Sequence, residues 1–317
     1  MPRASMASTW RNSLPWSRGS VQRSRISIPD SRPPRLGSGV GQTGRIRSER
    51  GEKMGRVRYA RSARDLERQA SEAADRPSDL VRVFRCRYET DAEAAQAVVP
   101  RPLEACVGSE VSVSFVSRSG PSSSAAKLET RWLHFGVRVD YDDRPGSYLI
   151  TVPTTSQVHA TAGRERFGLP AKTARIEFDR AEAEVSASVE RKGSRYLVAK
   201  GRFVEERPPR EEIEYGYCFK AFPSCLPGKD FDQDPQLVRL EWQLAFDRVW
   251  RVEGRIELCD SPYDPVFDLP VRRIIGAEYA EGSSVESGRV LRPVPGAWLL
   301  PFLHQRDDDP EIEGIEV

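Results

Sequence analysis

The sequence predicts a mainly β domain of the α+β class, an antiparallel, barrel-like fold with few helices. Three observations carry that expectation. Apolar and polar residues alternate through most of the chain after Val81, as half-buried strands require. Turn signals such as DDRPG and KG separate these runs. Helical periodicity is confined to two short stretches, and so many strands leave edges that closure into a barrel would protect.

Taken in order, residues 1–53 come first. They hold eleven Arg or Lys against Asp30, Glu49 and Glu52, a local balance of +8 that leaves −6 for the remainder of a chain of net charge +2. This basic tail is rich in Ser, Arg, Pro and Gly, without apolar period, and is expected to be disordered. Three readings stay open for it: electrostatic contact with nucleic acid, a transit-peptide-like segment, or an extension ahead of a true start at Met54. The charge lacks the aromatic interleaving that binds single strands, which argues against nucleic acid. Its GSGVGQTG run has neither the preceding strand nor the following helix of a phosphate loop.

Residues 54–80 read as a polar helical lead-in, with ARSARDLERQASEAA (60–74) as the helix. The β domain is expected over 81–301. VRVFRCRY opens it as a strand, and TDAEAAQAVV (90–99) is a helix capped by Thr90 or Asp91 and stopped by Pro100 and Pro102. VSVSFVS (111–117) is a strand, and SRSGPSSS after it reads as a flexible loop. HFGVRVDY (134–141) and GSYLITVP (146–153) flank DDRPG as a hairpin. Residues 173–204 hold three strands and 237–258 two long ones. The acidic tail 302–317 is expected to be loose.

Composition excludes several classes. A hydrophobic content of 38% with 30% charge fits a soluble domain with an ordinary core. No apolar run approaches the length that spans a bilayer, and no secretory signal opens the chain. Five scattered cysteines fit free thiols in a reducing cytoplasm. His134, His159 and His304 are far apart, and Cys218 and Cys225 are too widely spaced for a zinc knuckle, so no metal or other cofactor is expected. No G-x-S-x-G supports a serine hydrolase.

One stretch carries chemistry. GRERFGLPAKTARIEF (163–178) sets a rigid glycine- and proline-bearing approach before a strand, with a lone Lys172 at its mouth. It resembles the signature of the acetoacetate decarboxylase family, Gly-Arg-Glu, an aromatic, then Gly-[Phe/Tyr/Leu]-Pro-Lys-Lys. Four further segments resemble that family in the same order: YETDAEAAQAVVPRPLE (88–104), RPGSYLITV (144–152), YGYCFKAFPSCLPG (215–228) and SPYDPVFDLPVRRIIGAEY (261–279).

The resemblance implies an acetoacetate decarboxylase fold, a small keto acid or related carboxylate as substrate or ligand, and a homo-oligomer. It also implies a mechanism. A lysine forms an imine with the substrate ketone, and the protonated imine draws in the electrons released as carbon dioxide leaves. The amine attacks only when neutral, and acetoacetate decarboxylase is itself the standing example of a lysine activated by a neighbouring cation.

This sequence departs from the pattern at the reactive position. Ungapped comparison puts the family's imine-forming lysine on Ala171 and the flanking lysine on Lys172. Side chains alternate along a strand. If Ala171 looks into the cavity, Lys172 looks away, toward solvent or an interface, and serves as nucleophile only if a bulge shifts the strand. Glu129 matches a family glutamate that would orient substrate or shuttle a proton; a surface acid is the alternative. Arg164 and Glu165 would bind a carboxylate or brace the approach to the strand. Lys220 is either a displaced amine or a solvated strand charge. Two functions therefore remain: a decarboxylase-type lyase, and a barrel that binds a small acid without turning it over.

Overall fold

The computed structural model describes Tyr59 and residues 61–74, 80–119 and 129–308. The expectations for residues 1–53, for the SRSGPSSS loop beyond Ser119 and for the tail beyond Asp308 lie outside the described residues. From Ser62 onward these residues belong to one compact unit.

The lead-in helix α1 (Ala63–Ala74) begins at Ser62, whose hydroxyl accepts from the Asp65 N–H at 3.2 Å and donates to its carboxylate. The strands are β1 (Leu80–Glu89), β2 (Glu104–Ala105), β3 (Glu110–Ser119), β4 (Glu129–Tyr141), β5 (Arg144–Thr154), β6 (Ala171–Thr173), β7 (Arg175–Arg180), β8 (Glu184–Arg191), β9 (Ser194–Arg207), β10 (Arg210–Lys220), β11 (Gln236–Leu258) and β12 (Arg273–Pro293). Helices α2 (Ala92–Ala97), α3 (Gln157–Phe167) and α4 (Gly296–Leu299) interrupt them, with tight turns at Val266–Asp268 and Leu300–Gln305.

Seven strands close a ring in the order β1, β3, β4, β5, β10, β11, β12 and back to β1. Most pairings are antiparallel, as expected, but β5 pairs in parallel with both β10 and β6, so the barrel is mixed. The β5–β6 pair follows from the chain between them: α3 carries it back along the sheet, and a crossover of this kind joins parallel neighbours. Residues 237–258, expected as two strands, form one continuous strand with a bulge between Phe246 and Arg248. Its first half closes the barrel against β10. Its second half pairs with β9, and β9, β8 and β7 extend the sheet from there.

That extension folds back over the barrel wall. Phe178 of β7 meets Phe115 of β3 at 6.5 Å and Tyr279 of β12 at 6.3 Å, and Phe203 of β9 meets Tyr279 at 5.5 Å. The main core lies between these layers, with Phe84, Phe115, Leu133, Phe135 and Tyr217 all fully buried. Each such side chain contributes roughly 1.5–3 kcal/mol. Strand parity therefore separates two interiors. Phe84, Phe115 and Phe135 face outward into the layered core, while Val83, Val116, Trp132 and Leu149 face inward and meet across the ring. Among the described residues no helix is long and apolar enough to cross a membrane.

Candidate functional site in the barrel lumen

The stretch 163–178 is not simply a stiff lead into a strand: its first five residues are the end of a helix. Ser156 caps α3, its hydroxyl accepting from the His159 N–H at 3.2 Å. Gly168 ends the helix in the left-handed conformation (φ 79°), returning its N–H to the Arg164 carbonyl at 3.0 Å. A Cβ there would lie 2.4 Å from Lys220 Cα, so only glycine fits. The Pro170 carbonyl then accepts from Val152, and β6 runs beside β5 with Ala171 opposite Val152 and Lys172 opposite Pro153.

Parity now assigns the two residues. Ala171, 3% exposed, packs with Leu149, Val152, Leu169 and Leu240 in the inward-facing cluster. Lys172 turns to the other side of the wall. It does not reach solvent, as an outward-facing lysine was expected to, because the outer layer and residues 263–308 cover it. It borders a cavity of about 110 Å³ lined by Phe135, Ile150, Tyr263, Val266 and Leu269. Its ammonium lies 3.4 Å from Asp308, 3.6 Å from Asp264 and 3.3 Å from the Tyr263 carbonyl.

Those carboxylates are shared. Arg191, at the end of β8, donates to Asp264 at 2.6 Å and holds Asp308 through both terminal nitrogens. Lys192 adds a contact to Asp308 at 3.0 Å, and the Thr151 hydroxyl donates to Asp264 at 3.2 Å. Burial pushes the Asp308 carboxyl up, but the bonds from Arg191 and Lys192 outweigh it and hold the group well below the usual carboxylate range. Imine formation needs a free amine, whereas this shell supplies two counter-ions for an ammonium.

The lumen is built differently. A cavity of about 480 Å³ runs into the ring and is lined by residues from β1, β3, β4, β5, β10, β11 and β12. Its outer portion is ionic. Arg85 pairs with Glu214 at 2.7 Å, Glu278 at 3.0 Å and Glu212 at 3.4 Å, and Arg210 bridges Glu278 and Glu212. Burial opposes the Arg85 charge, but the three glutamates hold its guanidinium above the usual range. Deeper, the walls are aromatic. The Trp132 indole donates to His134 Nε2 at 3.0 Å, and the His134 and Trp242 rings lie 4.8 Å apart. His159 of α3 meets Trp132 edge-on at 4.8 Å and bonds the Thr154 hydroxyl at 3.2 Å. Arg118 lies over Trp132 and 3.9 Å from Glu286. Burial first, then neighbouring cations, press His134 down to about 3 and His159 to about 4, so both are neutral at physiological pH. A second lumen cavity of about 30 Å³ is bordered by Val116, Trp132, His134 and Leu244, and among the described residues no lysine lines either one.

Of the remaining expected site residues, Arg164 reaches the Ala171 backbone carbonyl and the others stand elsewhere. Glu129 sits on the outer wall, bonded by Ser117, by Arg82 at 2.5 Å and by Arg131 at 2.8 Å. Burial pushes it up, but these donors hold it below the usual range. Arg164 braces: it donates to the Ala171 and Arg306 carbonyls and pairs with Asp307 at 2.5 Å, while Glu165 is exposed. Lys220 stands half-buried at the end of β10, its ammonium 5.7 Å from the Phe222 ring. The stretch from Leu300 to Asp308 is docked rather than loose as far as it is described. Gln305 bonds Tyr148 and the Val98 carbonyl, and Arg306 donates to the carbonyls of Phe219 and Ala221. Sequence reasoning missed His134, Trp132 and Trp242 as a group, and Asp264 with Arg191. The W-x-H spacing at 132–134, two same-face residues on one strand, was the available signal for the first.

A closed mixed barrel thus encloses a cavity, with a short parallel strand at its wall. The comparisons give it a family. The profile described as Acetoacetate decarboxylase (ADC) matches residues 66–294, and the chain belongs to that family. It is 23% identical over 201 residues to an acetoacetate decarboxylase from Clostridium botulinum (strain Eklund 17B / Type B), covering 62% of this chain and 80% of that one. Among solved structures, the acetoacetate decarboxylase of Legionella pneumophila is 18% identical, with a TM-score of 0.58 over 69% of this chain and 88% of that one. The enduracididine biosynthesis enzyme MppR, solved with pyruvate, is 17% identical, with a TM-score of 0.58 over 69% of this chain and 91% of that one.

Proposed function

We propose that this chain acts on a small keto acid or related carboxylate held in the barrel lumen, in a decarboxylase-type lyase reaction that does not pass through a protein imine. One observation carries the second half of that reading. The methyl of Ala171 packs in the inward-facing apolar cluster, and the adjacent side chain of Lys172 is clasped by Asp264 and Asp308 behind the wall. The first half rests on family membership, and the pyruvate bound by a protein of the same fold is consistent with it. Without an imine, carbon dioxide loss leaves an enolate, which hydrogen-bond donors in a water-poor lumen would stabilise. Assembly as a cytoplasmic homo-oligomer belongs to the same proposal.

That no lysine among the described residues lines the lumen also favours a second reading, a barrel that holds a small acid without converting it. Borohydride trapping separates these. With acetoacetate or pyruvate present, the expected mass spectrum shows no lysine adduct, while the ligands raise the unfolding temperature and acetoacetate releases carbon dioxide. An adduct on Lys172 or Lys220 overturns the imine-free route. Stabilisation without carbon dioxide supports the binding barrel. Ala171→Lys is expected to become trappable at the new amine.

A further inference from the structure

The lumen contains a hydrogen-bond donor whose direction is fixed by the fold. We infer that the Nδ1–H of His134 receives the carbonyl oxygen of the bound acid; this deepens the function proposed above and rests on it.

The geometry behind it is short. Indole nitrogen is a donor only, so the 3.0 Å contact from Trp132 makes His134 Nε2 an acceptor. In a neutral imidazole the proton must then sit on Nδ1. The two ring nitrogens point in diverging directions, so Nδ1–H is directed away from Trp132. Among the described residues no group accepts from it, and the ring borders both lumen cavities. The tilted contact with Trp242 at 4.8 Å and the indole bond together hold the ring's plane and tautomer. Burial keeps it neutral, so no proton is lost or gained when a ligand arrives.

For a β-keto acid the step balances on this donor alone. The bond between the α-carbon and the carboxylate breaks, and its electron pair moves through the α-carbon onto the keto oxygen. Carbon dioxide leaves, and the enolate oxygen is held by Nδ1–H. A solvent proton then adds to the α-carbon to give the ketone. His134 stays neutral throughout, and nothing is oxidised or reduced.

The test uses the full-length protein labelled with ¹⁵N-histidine, with pyruvate as probe. The expected spectrum shows His134 protonated at Nδ1 and bare at Nε2 between pH 5 and 9 (about the range over which a buried neutral histidine stays uncharged). Saturating pyruvate is expected to shift the Nδ1 signal, and Trp132→Phe to release the single tautomer. His134→Asn, which keeps a neutral N–H, should bind pyruvate within about threefold of the parent. His134→Phe should bind at least about tenfold more weakly and lose roughly 100-fold in any decarboxylation rate. A proton on Nε2, or pyruvate binding that leaves the His134 signals unmoved, overturns the inference and leaves the substrate reading standing. Failure of the parent to bind either pyruvate or acetoacetate overturns both.

Discussion

The lumen beside Ala171 and the layer around Lys172 lie on opposite sides of one three-residue strand, and they treat polar groups in opposite ways. On the inner side, His134 and His159 are kept neutral by burial and by the cations Arg85 and Arg118. On the outer side, Asp308 pairs with Lys172, Arg191 and Lys192, and Asp264 with the first two. Burial alone therefore does not decide reactivity in this protein. Lys172 is as inaccessible as a catalytic amine would be, but it is surrounded by counter-ions, and the face of the strand that lacks them carries a methyl group.

The contrast can be broken most forcefully at Asp264, whose side chain is 1% exposed. Asp264→Ala leaves Arg191 and Lys172 with one carboxylate between them and should cost about 3–5 kcal/mol, read from urea unfolding midpoints. A loss below about 1 kcal/mol would mean the cluster contributes little to the fold. Lys172→Met should cost less, about 1–3 kcal/mol, because Arg191 still serves both carboxylates. Its affinity for pyruvate should equal the parent's, and a large loss would place Lys172 in the functional lumen after all.

Acid sharpens the inner side. Both histidines have folded-state values pressed below the unfolded value of about 6.5, so their contribution is complete above that pH and is lost as pH falls toward about 4 for His159 and about 3 for His134. The slope is up to about 1.4 kcal/mol per pH unit for each. Glu214 and Glu286, raised by burial, push the other way, so the informative quantity is a difference between proteins. His134→Phe should flatten the acid limb of the stability curve relative to the parent, and identical curves would remove the histidine from the account. The smallest effect is expected at Glu129→Gln. That carboxylate is a quarter exposed among two arginines, so the change should stay under about 1 kcal/mol and leave pyruvate binding unaltered.

The barrel was legible in the sequence because alternation reports which residues share a face, and the hairpin at DDRPG formed where expected, with Asp142 and Asp143 at positive φ. The helix Gln157–Phe167 was not legible. Its apolar residues do not form a stripe, and it is held by its caps and by Arg164 reaching residues more than 140 positions away. The opposed faces of Ala171 and Lys172 followed from a two-residue period. The burial of Lys172 did not, since it depends on Asp264 and on the C-terminal Asp308 arriving from distant sequence. The pairing of Trp132 with His134 needed only local spacing, but its orientation toward the lumen needed the closed ring.

Strand β11 gives the molecule its mechanical character. It runs as one strand from Gln236, paired with Pro293 on the barrel wall, through the bulge between Phe246 and Arg248, to Leu258, paired with Leu197 in the outer layer. Neither layer can loosen without stripping backbone bonds from the other, so tightening by a guest in the lumen should be felt as slower amide exchange in β9, on the far side of the wall.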